Sequence, residues 1–332
     1  MSTGPKSGPG RPARPWELAP EPPRPEPVRA AGALTGAQRR QVAIITVVAL
    51  VVFMVVRLLP TGTNLNHMDF RVEGKGALEF CDPANPQFIP VVSARSPVTM
   101  TLAGDGLPAP DRESHFTLTL RTASGKPIAP EDLLVAHTKK LHLMIVDPTL
   151  QDYQHVHPVP GRHPGDWDFA FTPQRAGRYR VFADFTPVAT QRGLYASADL
   201  DVPGEVGDVI RAPNRTAQLG GFEFRLVGPD LWHARQPIDL KLRIESPGSE
   251  KVPVPLGPVM GAFAHLVAFD EQRSGFAHLH PKETDLSHPP DSLRPELNFK
   301  VTFPTTGRYV IWAQVNLRGD DAFVPFWIDV LP

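Results

Sequence analysis

Cysteine is almost missing from this chain: Cys81 is the single one in 332 residues. One thiol excludes an intrachain disulfide framework and a cysteine-rich zinc ribbon. A blue-copper electron carrier, which needs a cysteine beside its histidines, is disfavoured for the same reason, because Cys81 is far in sequence from every histidine pair. A surplus of charge is missing too. The formal net charge is −1, so nothing electrostatic points to nucleic acid as a partner. Signatures of catalysis are absent: no Gly-x-Ser-x-Gly, His-Glu-x-x-His or phosphate loop occurs. The sequence is therefore read as that of a non-enzyme. Long apolar runs are scarce, with one exception near the N-terminus.

That exception runs from Gln41 to Leu59 and is just long enough to cross a bilayer, with Arg57 placed to snorkel at its far end. Before it come nine prolines ahead of Val28, and seven Lys/Arg against three Glu through Arg40. Such a segment cannot offset its ordering entropy, which predicts a disordered tail over 1–38 and a transmembrane helix over 39–60. No small-x-small cleavage site follows in Leu58–Asn64, which favours an uncleaved anchor over a signal peptide. The basic flank places the N-terminus in the cytoplasm and the rest of the chain outside, in a periplasm or extracellular space. The expected location is the inner (plasma) membrane, single-pass. Residues 61–93 read as a juxtamembrane spacer, with Cys81 as a small hydrophobe.

Beyond the spacer a pattern occurs twice: a histidine on an apolar strand, twelve residues, then His-x-His-Pro. Its first copy is Leu-His-Leu-Met-Ile-Val-Asp from Leu141 to Asp147 and Tyr-Gln-His-Val-His-Pro ending at Pro158; the second is Ala-His-Leu-Val-Ala-Phe-Asp from Ala264 to Asp270 and Gly-Phe-Ala-His-Leu-His-Pro ending at Pro281. His142, His155 and His157 recur 123 residues later as His265, His278 and His280. This is an internal duplication. Period-2 alternation predicts half-buried strands that hide their non-histidine faces. Folding each pair antiparallel sets His142 opposite His157 and Met144 opposite His155, with His265 opposite His280 and Val267 opposite His278. Opposed Cβ atoms lie about 4.5–5.5 Å apart, so three imidazoles can converge, and a one-residue slip would scatter them.

Seven short alternating runs in each copy, with 39 prolines and 26 glycines along the chain to punctuate them, predict an all-β fold. We expect two tandem immunoglobulin-like or cupredoxin-like sandwiches behind the helix, domain 1 over 94–203 and domain 2 over 212–332. Gly177-Arg178-Tyr179 corresponds to Gly307-Arg308-Tyr309 at an offset of 130, so the loop after the second His-x-His is seven residues longer.

Imidazole is the commonest metal ligand near neutral pH, and three nitrogens suit Cu(II), Zn(II) or Ni(II). The expected metal residues are His142, Met144, His155, His157, Asp184, His265, His278 and His280. Met144 would add a soft thioether favouring Cu(I), and Val267 in its place would leave the second site harder or weaker. Asp184 would orient an imidazole through its other nitrogen, with the uncharged Gln314 as its counterpart. His163 and His288 fall where they can close a site, while His115, His137 and His233 read as surface residues. A cupin-type oxygenase would need a glutamate after His-x-His, and Pro-Val-Pro-Gly follows instead. The opposing reading is that the histidines form hydrogen-bond networks in a structural or partner-binding envelope protein.

The stretch His-Leu-Met-Ile-Val-Asp, Asp-Tyr-Gln-His-Val-His-Pro and Gly-Arg-Tyr-Arg-Val-Phe-Ala-Asp-Phe resembles a motif set of exported bacterial β-sandwich domains, the YtkA-like or heavy-metal-associated group. The likeness covers most of 116–187 and, more loosely, 238–315. It implies an exported sandwich, and by position it implies His142, His155, His157 and Asp184 as functional; the second copy departs at Gln314. The topology is also similar to membrane-anchored copper carriers that serve respiratory oxidases, whose paired cysteines are absent here. Together these give copper, with zinc as the alternative, as the expected ion. Capture, buffering or delivery is the expected task, with a metal-donating or metal-accepting envelope protein as partner.

Overall fold

A computed structural model describes residues 34–58, 65–70, 88–208, 212–249 and 251–332. The expectations for residues 1–33, for Cys81 and for the Arg57 side chain lie outside the described residues. The chain divides into two compact units, 1–59 and 60–332.

In the first unit, α1 (Gly36–Leu58) begins at a capping box. Gln38 N–H donates to Thr35 Oγ1 (3.3 Å), and Thr35 N–H donates back to Gln38 Oε1 (2.9 Å), satisfying two helix-start donors. This box starts the helix ahead of the apolar run itself. Its window Gly36–Val55 is long and apolar enough to cross a membrane.

The second unit is all-β. Its first sandwich contains β1 (Val98–Gly104), β2 (Ser114–Thr122), β3 (Leu141–Val146), β4 (Tyr153–Val156), β5 (Val159–Pro160), β6 (Asp166–Phe171), β7 (Gly177–Phe185) and β8 (Leu194–Val202). These form two sheets, ordered β1-β2-β6-β5 and β4-β3-β7-β8. The second sandwich contains β9 (Thr216–Leu219), β10 (Phe222–Val227), β11 (Trp232–His233), β12 (Pro237–Glu245), β13 (Leu256–Gly257), β14 (His265–Asp270), β15 (Phe276–Leu279), β16 (Glu296–Thr302), β17 (Gly307–Leu317) and β18 (Asp320–Leu331). Its sheets are β16-β12-β10-β9 and β11-β18-β17-β14-β15, with β13 added on β17. The seven strands expected per copy are present, and the short β5, β9, β11 and β13 are additions.

Each copy repeats a tyrosine corner that locks the start of its long strand. Tyr179 Oη donates to Asp152 Oδ2 (2.6 Å), and Tyr309 Oη donates to Thr305 O (3.0 Å). Gly177 before the first corner sits at φ +126°, and a Cβ there would meet Pro148 Cγ at 2.5 Å, so only glycine fits.

Alternation decides three cores, one more than the sequence suggested. On β3, Leu141, Leu143 and Ile145 enter the core of the first sandwich with Leu118, Trp167 and Tyr179. On β14, Leu266 and Ala268 enter the core of the second with Phe224, Leu240 and Phe299. The opposite faces are not solvated: every residue of β3 and β14 is buried. Met144, Val146, Phe182 and Tyr195 pack against Val267, Phe269, Phe276, Val310, Trp312 and Trp327, a core made between the sandwiches. Phe182 stacks at 5.9 Å on Phe269 and lies tilted at 5.3 Å to Phe276. The expectation of half-buried strands is thus corrected. The histidine-bearing sheets of the two copies face each other.

The spacer is corrected as well. Phe70 in the turn His67–Phe70 is buried in the first sandwich's core, and Asp69 pairs with Lys126 (2.7 Å). Farther on, Phe88 enters the second sandwich's core, and Ile89 exchanges backbone hydrogen bonds with Phe276 (2.7 and 3.1 Å). The strap passes so close that a Cβ on Gly275 would fall 1.8 Å from Ile89 O. A segment leading into the first domain is therefore fastened to the edge of the second.

Candidate metal centre

The β3/β4 ladder pairs Met144 with His155, and the β14/β15 ladder pairs Val267 with His278, the register that alternation requires. Each hairpin thereby gathers its three imidazoles on one face. In the first triad ring centroids are 5.3 Å (His142–His155), 4.9 Å (His142–His157) and 4.8 Å (His155–His157) apart. In the second they are 5.6 Å (His265–His278), 4.7 Å (His265–His280) and 4.7 Å (His278–His280). An ion about 2.0–2.1 Å from each nitrogen sits about 3.2 Å from each ring centre, so rings sharing it at right to tetrahedral angles lie about 4.5–5.2 Å apart. Two of the three pairs in each triad fall in that range, and the third, His142–His155 at 5.3 Å and His265–His278 at 5.6 Å, is slightly longer. Their ligand atoms all lie within 4.8 Å of one another.

Hydrogen bonds fix which nitrogen of each ring is free. His142 Nε2 faces Ala136 O at 3.0 Å, and a carbonyl only accepts, so Nε2 carries the proton and Nδ1 a lone pair. His155 Nδ1 faces Gln314 Oε1 at 2.8 Å. That amide is oriented by Gln314 Nε2 donating to Asp321 Oδ2 at 2.9 Å, so His155 donates through Nδ1 and Nε2 is bare. These two bare nitrogens, His142 Nδ1 and His155 Nε2, point at each other across 3.2 Å. Two lone pairs at that distance repel unless a cation lies between them. His157 Nε2 is buried with no partner among the described residues.

The second triad repeats the scheme. His265 Nε2 donates to Val259 O (3.1 Å) and its Nδ1 is buried and unpartnered; His278 Nδ1 donates to Asp184 Oδ2 (3.1 Å). His278 Nε2 then faces His280 Nε2 at 3.3 Å. Each triad so turns toward its centre one Nδ1, on its first histidine, and two Nε2 atoms.

Burial keeps these rings neutral. It is the largest cause of the lowered pKa at His142, His155, His278 and His280, and it takes His157 to about 3 and His265 to about 4. Neutral imidazole is the form that binds metal. Burial also raises Asp184 to about 6, while the neighbouring His142 and His137 pull it back down.

Two sequence expectations change here. Asp184 stands beside His142 in the β3/β7 ladder, yet its carboxylate accepts from His278 of the other sandwich; Gln314 stands beside His265, yet accepts from His155. Orientation is thus exchanged between the copies. The two triads also touch, with His278 at 5.3 Å from His155 and 5.8 Å from His142, so they form one continuous centre. Second, His137, expected as an unpartnered surface residue, is exposed but sits against the centre, 3.6 Å from His280 by ring centroid. Met144 is opposite His155 as expected, but its side chain belongs to the apolar core between the sandwiches. His163 is exposed beside a separate open cavity with Asp105, His115, Asp166 and Asp168, and the exposed His288 pairs with Asp285 at 2.7 Å. Neither is placed at the triads.

Residues 93–202 and 217–331 each match the family "Domain of unknown function (DUF8832)". No curated protein matches the chain in sequence. Among solved structures, a protein of Corynebacterium diphtheriae described as membrane-anchored aligns at 8% identity over 72% of this chain and 60% of its own, with a TM-score of 0.22. Trypsin-activated alpha-2-macroglobulin of Escherichia coli aligns at 13% identity over 81% of this chain and 17% of its own, with a TM-score of 0.21.

Proposed function

Since the chain belongs to the family "Domain of unknown function (DUF8832)" and carries two copies of its domain, we propose that the paired domains form a transition-metal carrier that captures, buffers or delivers copper, with zinc as the alternative ion. The observation that carries this is the 3.2 Å approach of two bare, buried nitrogens, His142 Nδ1 and His155 Nε2. His142, His155 and His157 hold one ion, and His265, His278 and His280 a second. A three-imidazole set binds Cu(II) ahead of Zn(II) in the ordinary order of divalent affinities, and leaves a coordination position open for exchange. The likeness to YtkA-like domains bears on an exported location and a sandwich fold more than on the task. It is a binding role and not a catalytic one. The α1 helix anchors the protein in the plasma membrane with its basic flank in the cytoplasm and the sandwiches outside, where an envelope protein supplies or receives the ion.

The bonds His155–Gln314 and His278–Asp184 also tie the sandwiches together, which favours a second reading in which the histidines serve cohesion alone. Metal analysis of the untagged, detergent-solubilised chain after loading with copper or zinc separates the two. We expect two ions per chain, one lost in His155→Ala/His157→Ala and the other in His278→Ala/His280→Ala. No retained ion in the folded wild type would leave cohesion as the role.

A further inference from the structure

Seven imidazoles, not six, meet at this centre. The seventh comes from a tight turn, Ala136–Lys139, whose end residues bridge to each other and whose two central residues, His137 (φ 49°) and Thr138 (φ 71°), are both left-handed. Two left-handed central residues are what a two-residue hairpin turn requires, and histidine tolerates that region better than most side chains. His137 is a solvent-exposed residue. Among the described residues no hydrogen bond holds either of its nitrogens, unlike His142, His155, His265 and His278, each tied by an oxygen acceptor.

It lies against all three rings of the second triad and reaches one ring of the first. Ring centroids are 6.3 Å to His142 of the first triad, and 6.2 Å to His265, 6.3 Å to His278 and 3.6 Å to His280 of the second. The last pair meets edge-on at contact distance, so His137 lies directly against the second triad. The second copy has the same turn at Val259–Ala262, again with left-handed centre residues, Met260 (φ 48°) and Gly261 (φ 79°). Both turns also supply the carbonyl that orients the first histidine of their triad, Ala136 O for His142 and Val259 O for His265. They meet each other, since a Cβ on Gly261 would lie 3.8 Å from Thr138 Cγ2.

We propose that His137 is the exchangeable fourth ligand of the centre: it closes the second triad's coordination and, by rotating about its own side-chain bonds, passes ions between that triad, the first triad and solvent. This rests on the metal reading above. In each triad two of the three rings are tied by an oxygen acceptor, which holds an ion in place and keeps those rings from moving with it. An untethered ring on an exposed turn, against the second triad and 6.3 Å from His142 of the first, gives an incoming or leaving ion a nitrogen at each stage. The backbone need not move, because about 6 Å of centroid separation is closed by side-chain rotation and ordinary metal–nitrogen bonding.

The test uses the untagged full chain in detergent, wild type and His137→Ala, loaded with Co(II) for its visible spectrum and with Cu(II) for kinetics. Expected for His137→Ala are two ions still bound, a weaker visible band from loss of one nitrogen around one Co(II), and about tenfold faster release of Cu(II) to a competing chelator. Spectrum and release rates equal to wild type, with two ions bound, would overturn the proposal while leaving the triads as metal sites. Failure of folded wild type to bind either ion would overturn it together with the metal reading.

Discussion

Acidification from pH 7 to pH 4 is expected to unfold the metal-free protein. Above pH about 6.5 the centre's imidazoles are neutral in the folded and unfolded chain alike. Below it the unfolded chain takes up protons that the buried rings refuse, down to about 4 at His265 and about 3 at His157, with His142, His155, His278 and His280 displaced in the same direction. The unfolded state therefore binds more protons throughout that window, and stability falls as pH falls. For His265, fully buried, the displacement from 6.5 to about 4 corresponds to about 3 kcal/mol. Several such contributions rival the 5–15 kcal/mol of a typical fold. Asp184 runs the other way. Its folded value of about 6 lies above the ordinary 3.8, so its contribution improves as pH falls between the two, one group against six. Urea unfolding at a series of pH values should show a slope of at least about 2.7 kcal/mol per pH unit, the uptake of two or more protons. Bound ions should move the acid transition to lower pH. A stability that stays flat from pH 7 to 4 would mean that the rings are not held neutral by the fold.

Asp184→Asn is expected to weaken the metal site of the second sandwich, although Asp184 belongs to the first. Its carboxylate accepts from His278 Nδ1, which raises the basicity of the Nε2 that binds the ion. Asparagine keeps an acceptor and removes the charge. Losing such a partner typically costs 10–100-fold in metal affinity. The affected ion should be the one that His278→Ala/His280→Ala abolishes, as read by competition with a chelator of known affinity. Conversely, Gln314→Glu should tighten the first triad, where the neutral amide now accepts from His155. Should Asp184→Asn weaken the first triad and spare the second, the exchange of partners between sandwiches would be wrong. On this ground the second triad is expected to be the tighter site for divalent ions, the reverse of the expectation drawn from Val267 in place of Met144. Met144 packs in the apolar core between the sandwiches, so its replacement by Val267 changes packing there.

Local patterns carried much of this into the sequence. Pleating sends alternate side chains to opposite faces, so spacing alone placed His142, His155 and His157 together, and His265, His278 and His280 with them. The duplication, the seven strands per copy and the membrane-length helix followed from periodicities of two residues and from one apolar run. What alternation could not reveal is what each exposed-looking face meets. Met144, Val146, Val267 and Phe269 occupy the histidine side of their strands, and that apolar content was the available sign that this side is covered. His137 gave no such sign. A lone histidine in a turn acquires meaning only when β3, β14 and the two facing turns are brought together. The sequence by itself thus determined two three-histidine hairpins, because register is a property of neighbouring strands. Tertiary structure alone decided that the hairpins share one centre, exchange Asp184 and Gln314 as orienting partners and admit His137. Those relations depend on the packing of two sheets more than a hundred residues apart in the chain.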